Sequence, residues 1–239
     1  MARETPVRRG RREVDLSGLS LEGMAGRGFL AGLAPELADE MLRMGRPATY
    51  PAGTIISSTR EAPGPALLVT GSLRYFLAGQ DGRQLTIRYL SAGDLVGTSV
   101  LDQASVTSHI EFLEPSVLLN LDAERFLAMA ARRPELAMAL VDELVTRLRI
   151  AYRALAAHAF MSVRTRVAID LMERAKLRGP MEAGLQIDVT QQSLADATGS
   201  VREVVSRALG QLRREGILAK TADGITVLDP EALARAARL

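Results

Sequence analysis

The chain has 239 residues, 47% of them hydrophobic, 24% charged and only 4% aromatic, enough for two cored domains of a globular protein. Its formal net charge is only +2, so binding to nucleic acid or to an acidic membrane must come from local arrangement rather than overall attraction. Zero cysteines exclude disulfides, thiol switches and cysteine-ligated iron–sulfur clusters. No apolar run reads as a transmembrane helix or a secretory signal, so the expected compartment is the cytoplasm, with no membrane partner.

Residues 1–28 are polar, arginine-rich and without periodicity, which predicts a flexible basic tail. Leu33 to Met44 reads as a short amphipathic helix with Pro35 near its start and Gly45 after its end. From Ala48 to Leu121 short apolar runs alternate with turn residues. The candidate strands are Ile55–Ile56, Ala66–Val69, Leu73–Leu77, Leu85–Leu90, Leu95–Val96, Ile110–Leu113 and Val117–Leu121. Many short strands with regular turns predict an antiparallel barrel or jelly roll, either holding a small ligand or filled by its own core.

Asp122 is placed to cap a helix, and Pro134 starts a longer one reaching about Phe160. Along it Val141, Leu144, Leu148, Ala151, Leu155 and His158 alternate three and four positions apart, a heptad seam that suits pairing with a second copy. Leu140 and Val145 flank the seam and are expected to face the chain's own barrel. The next helix, Val163 to Lys176, turns Val163, Val167, Ile169 and Leu171 or Met172 toward a second core.

Thr190 then stands as an N-cap for a helix over Gln191 to about Thr198, and a second helix runs from about Val201 to Leu212. Gly199 between them suits a sharp turn with positive φ, and small Ala195 lets the helices approach. Val201, Val204, Val205, Ala208, Leu209 and Leu212 form the inner side of the second helix. This is the pattern of a helix-turn-helix, whose second helix enters the DNA major groove. Arg202, Glu203, Ser206 and Arg207 share its other face. Arginine can take both major-groove acceptors of guanine, and glutamate can accept from the cytosine amino group. A plain solvated face with a Glu203–Arg207 pair is the competing reading. Ile217–Ala219 and Ile225–Leu228 around Asp223-Gly224 predict a β-hairpin wing, and Asp229-Pro230 caps a last helix. Lys220 and Thr221 near the wing tip are candidates for phosphate contact, or simply for a solvated turn.

The order of barrel, long seam helix and winged helix-turn-helix resembles the cyclic-AMP receptor / fumarate-nitrate regulator (CRP/FNR) family of bacterial transcription factors. Gly71, Gly82, Gly93-Asp94, Gly97, the Pro134–Phe160 helix and above all TQQSLADATGSVREVVSRAL (190–209) carry the likeness. It implies an α+β fold with a β-roll (jelly-roll, cyclic-nucleotide-binding-like) domain at 29–133, a dimerisation helix at 134–160 with seam Val141, Leu144, Leu148, Ala151 and Leu155, and a winged helix-turn-helix at 161–239. It implies a homodimeric regulator, not an enzyme, that reads an inverted repeat in double-stranded DNA and works with RNA polymerase. Arg202, Glu203 and Arg207 match the family's base-reading set for a TGTGA-type half-site, while Ser206 matches the position used for a TTGAT-type site. Thr190 and Gln192 match positions that hold phosphate, and Ser200 and Lys220 are candidate phosphate contacts beside them.

The sensor half departs from the family pattern. Cyclic-AMP-binding members carry a Gly-Glu pair and then an Arg-Ser/Thr pair, whereas here Thr98 and Ser99 follow Gly97, and Val106-Thr107 stands in the second place. Valine cannot neutralise a phosphate, and an unpaired buried anion is costly, which argues against cyclic AMP. Ala151 and Tyr152 replace a Thr-Ser pair on the long helix. By position alone, an effector site is expected among Thr98, Thr107, Arg147, Ala151 and Tyr152, although Glu143 could simply pair with Arg147. Haem would need His109 or His158, each of which reads more simply as a packed side chain, and no cofactor is assigned. Two alternatives stand beside the gated regulator: a regulator that binds DNA without any effector, and a cupin-like metal enzyme, disfavoured by only two histidines.

Overall fold

The computed structural model describes residues 28–57, 64–97, 108–222 and 224–238. The predictions on the N-terminal tail, Thr98, Ser99, Val106, Thr107 and Asp223 lie outside them. Two units interleave along the chain: one holds the described residues before 74, those of 90–103 and Glu111–Val141, and the other holds Arg74–Tyr89, the described residues of 104–110 and Asp142 onward.

In the first unit a 3₁₀ helix (Gly28–Gly32) leads into helix α1 (Pro35–Met44). Pro35 sits at the first turn, where its missing N–H would have had no partner. Leu37, Ala38, Met41 and Leu42 recur at helical spacing and are buried. Strands β1 (Arg46–Tyr50), β3 (Ala66–Thr70), β6 (Leu95–Val96) and β8 (Ser116–Asn120) form a sheet in the order β1-β8-β3-β6. All its pairings are antiparallel, with Ala48 opposite Leu118 and Leu67 opposite Leu119. β2 (Ile55–Ser57) follows β1, and the Tyr50 and Phe112 rings stack 4.3 Å apart. Helix α2 (Ala123–Arg132), capped by Asp122 through the Arg125 amide at 3.0 Å, closes the core with Leu37, Met41, Leu67, Leu119, Phe126 and Leu136. Strand β1 carries no apolar run and was not among the expected strands. Its Pro47 is tolerated because β1 lies at a sheet edge.

Helix α3 (Pro134–Phe160) continues unbroken from the first unit into the second. In the second unit β4 (Leu73–Ala78) and β5 (Gln84–Leu90) are neighbours in a sheet, with β7 (Ser108–Phe112) on the other side of β4. A turn in which the Gly79 amide donates to the Arg83 carbonyl at 2.8 Å joins β4 to β5. After α3 come α4 (Val163–Arg178), β9 (Gln186–Ile187), α5 (Gln191–Ala197), α6 (Arg202–Arg214), β10 (Leu218–Lys220), β11 (Ile225–Val227) and α7 (Pro230–Ala236). The three strands pair antiparallel in the order β10-β11-β9, which makes the expected wing. Val167, Leu171, Leu194, Val205, Leu209, Leu212, Ile225 and Leu233 form a second core. Ile169 is only half-buried and stays out of that core, while Ala168 and Ala175 enter it.

Candidate nucleic-acid interface

The two helices of the reading head are fixed by local chemistry. The Thr190 side chain accepts from the Ser193 amide at 3.0 Å, and Ser193 Oγ in turn accepts from the Thr190 amide at 3.2 Å. This reciprocal box satisfies two of the orphan groups at the start of α5. Gly199 then turns the chain with φ +59°, and the Ser200 amide donates to the Ala195 carbonyl at 2.9 Å. A Cβ on Gly199 would lie 2.9 Å from His158 Cε1, so glycine is needed for space as well as for φ. Ala195 is buried, as the close approach of the helices requires.

On α6 the buried side is Val205, Ala208, Leu209 and Leu212, and Arg202, Glu203 and Arg207 are exposed on the other. Ser206 is half-buried between the two sides. Val201, read as part of the inner side, is instead 52% exposed, because it is the N-cap residue and its backbone has left the helical path. Thr190, Gln192 and Lys220 are exposed, and Ser200 is half-buried. Gln192 Nε2 donates to Asp196 Oδ1 at 2.9 Å, which holds its amide against α5.

The seam expected on α3 is an uncovered apolar stripe in the single chain. Val141, Leu144, Leu148 and Leu155 are between 47% and 65% exposed, and Ala151 is exposed with them. Leu140 does pack on the first core, but Val145 is 49% exposed, so it lies with the open side rather than against the barrel. His158 is not a seam residue: it is half-buried, with Cε1 at the Gly199 turn. Burial, then the Arg166 charge, lowers its pKa. Burial alone lowers that of His109, which stacks on Phe76 at 5.0 Å.

Of the expected effector residues, Arg147 donates from Nε to Glu143 Oε1 at 2.7 Å, and Arg88 on β5 donates to the same oxygen at 3.0 Å. Tyr152 is 62% exposed. No group of three or more His, Cys, Asp or Glu that could hold a metal occurs among the described residues. None of the helices described is long and apolar enough to cross a membrane.

Sequence reasoning missed a second cluster. Tyr89 Oη donates to Asp170 Oδ1 at 2.6 Å, and Arg174 Nε donates to Asp170 Oδ2 at 2.7 Å. The Arg174 guanidinium also lies 5.2 Å from the centre of the Tyr89 ring. Burial, reinforced by the Asp170 charge, pushes the tyrosine pKa well above its usual value, so the phenol keeps the proton it donates. The i, i+4 spacing of Asp170 and Arg174 was legible, but nothing local pointed to a tyrosine 81 positions away.

A winged helix-turn-helix with an exposed Arg-Glu-x-x-x-Arg face defines the class as DNA-binding regulators. The chain matches the family model of the cyclic nucleotide-binding domain over residues 47–133 and that of the Crp-like helix-turn-helix domain over 165–236. It is 32% identical to the cyclic AMP receptor protein of Thermus thermophilus over 198 residues, covering 82% of this chain and 89% of that protein. It is 28% identical to a CRP-like cAMP-activated global transcriptional regulator of Mycobacterium tuberculosis over 223 residues, 91% of this chain and 99% of the other. A solved CRP/FNR-family regulator of Thermus thermophilus superposes with a TM-score of 0.67 at 26% identity, covering 80% of this chain and 98% of that one. The chain belongs to the CRP/FNR family and is a transcriptional regulator of that type.

Proposed function

We propose that the chain works in the cytoplasm as a homodimer, paired along the Val141–Leu155 stripe of α3, and reads an inverted repeat through α6. The observation that carries this reading is the division of α6 itself. Its buried side belongs to a closed core, while Arg202, Glu203 and Arg207 stand exposed on the other side, Arg202 Nε donating at a long 3.5 Å to Gln191 Oε1. Arg202 and Arg207 read guanine, Glu203 reads cytosine, and Thr190, Gln192, Ser200 and Lys220 take phosphate. Two such helices about 34 Å apart fit consecutive major grooves on one side of the duplex. The half-sites are of TGTGA or TTGAT type, and RNA polymerase is the protein partner.

An effector acts through the β-roll side, where Arg88, Glu143 and Arg147 join β5 to α3. Cyclic AMP is named for the relatives, but Thr98 and Val106 stand where its ribose and phosphate contacts belong, which argues against it as that effector. The chain performs no catalysis. Selecting bound sequences from random DNA with the purified, effector-free protein tests the reading. An inverted repeat with guanine-containing half-sites is expected. Enrichment of no motif with or without a cell extract would sink it, and a motif only with extract would show that an effector is required.

A further inference from the structure

Helix α6 begins on a residue that local rules disfavour. Its N-cap is Val201, which has no side-chain oxygen to offer the orphan amides of the first turn and belongs to the types least favoured there. The other helices that begin in the second unit are capped by side chains: Ser162 for α4, Thr190 for α5 and Asp229 for α7. Val201 is also 52% exposed, and among the described residues after α3 only Leu228 is another exposed large hydrophobic. Val201 is not part of the second core. One position thus gives up a cap and shows an apolar side chain to water. A residue that breaks two local rules at the tip of a DNA-reading helix serves the site rather than the fold.

The Val201 backbone is fixed. Its carbonyl accepts from the Val204 and Val205 amides, both at 3.1 Å, and Val205 is fully buried. A β-branched side chain has few rotamers, so its two methyl groups stand in place before anything binds. Arg202 follows directly, exposed, with its Nε 3.5 Å from Oε1 of Gln191 at the start of α5. The N-terminal residues of a recognition helix are the ones that meet base edges. In the major groove those edges present donors, acceptors and one apolar group, the 5-methyl of thymine. A phosphate contact calls for a hydroxyl, an amide or a cation, and the valine side chain has none of them.

We propose that Val201 is a specificity-determining residue that reads the 5-methyl group of a thymine, in the base pair next to the guanine taken by Arg202. The proposal rests on the DNA-reading function of α6 proposed above and adds an apolar contact to its hydrogen-bonding set. With thymine in place, methyl groups on both sides leave water together. With cytosine the methyl is missing, and the valine covers a polar edge instead.

The test uses the full chain and duplexes of its selected site in which each thymidine in turn is replaced by deoxyuridine. Uracil keeps the hydrogen-bonding groups of thymine and lacks only the methyl, so a change in affinity reports that group alone. Replacing the thymine beside the guanine whose preference Arg202→Ala relaxes should weaken wild-type binding by about threefold or more. In Val201→Ala and Val201→Ser the same replacement should change affinity little, while the preference at the Arg202 guanine stays as in wild type. Serine supplies the missing cap oxygen, so Val201→Ser should melt no lower than wild type. The proposal is overturned if the selected site has no thymine beside that guanine, if wild type is indifferent to uracil there, or if both variants stay as sensitive to it as wild type. Melting of Val201→Ser well below wild type would make Val201 a packing residue and overturn it too. Absence of any sequence preference in wild type would instead sink the DNA-reading function itself.

Discussion

The reading head is assembled from one stretch, Thr190 to Arg207, whereas strand β5 pairs Arg88 with Glu143 of α3 and Tyr89 with Asp170 of α4, 55 and 81 positions apart. In the first region the cap, the turn and the exposed face are each set by neighbours three or four residues away. In the second the i, i+4 pairs Glu143–Arg147 and Asp170–Arg174 are local, but Arg88 and Tyr89, which join them, come from a distant strand. The difference follows from what each region must do. A base-reading helix needs one rigid shape, and short-range bonds supply it. A coupling device needs contacts that can be lost without unfolding either partner, and only contacts between separately stable elements have that property.

The sharpest way to break the comparison is to remove the pairing that makes two reading heads one binder. Leu144→Glu combined with Leu148→Glu puts two charges on the uncovered stripe of α3, where both leucines are more than half exposed, so the single chain should fold with little change in melting temperature. Affinity for the inverted repeat should fall by about two orders of magnitude, because two linked contacts become two separate ones. Sedimentation should show monomer. Retention of both dimer and affinity would place the interface elsewhere.

Within the local region, Arg202→Ala should cost about 1–3 kcal/mol of binding and relax the preference at one guanine. Competition among single-base variants of the selected site measures it. An equal loss on every sequence would reduce Arg202 to a phosphate contact, and the exposed face would no longer be a reader.

Thr190→Ala tests the other half of the local claim, that the head is held by its own caps. It removes the acceptor for the Ser193 amide and should cost about 1 kcal/mol of stability by denaturant unfolding.

How much of this was legible follows the same line. The α5–α6 unit, its cap at Thr190, the positive φ of Gly199 and the outward face of α6 were all readable, because each depends on residues within one or two turns. Strand β1 was not: Arg46, Pro47 and Thr49 give it no apolar run, and its place is fixed by pairing with β8, 70 residues on. Val145 and His158 were misplaced for a related reason. Heptad spacing gives the angular position of a side chain on α3, but which neighbour arrives at that angle is a tertiary fact. The Tyr89–Asp170 contact lay wholly beyond local pattern.

The smallest expected effect probes the boundary between the two regions, at His158. Burial and the neighbouring Arg166 hold its pKa below the ordinary value of 6.5, and burial moves His109 in the same direction. A histidine with a lowered folded pKa favours the folded state fully above the unfolded pKa. That contribution is lost as pH falls through the folded pKa, because the unfolded chain takes up the proton first. Melting temperature should therefore drop as pH is lowered from about 7.5 to about 5, with both histidines contributing. His158→Gln removes one contribution and leaves that of His109, so its pH profile should be flatter than wild type. Superimposable profiles would show that the imidazole at the Gly199 turn is not held neutral by its surroundings. A flatter profile would show that His158 is held neutral by its surroundings at the Gly199 turn.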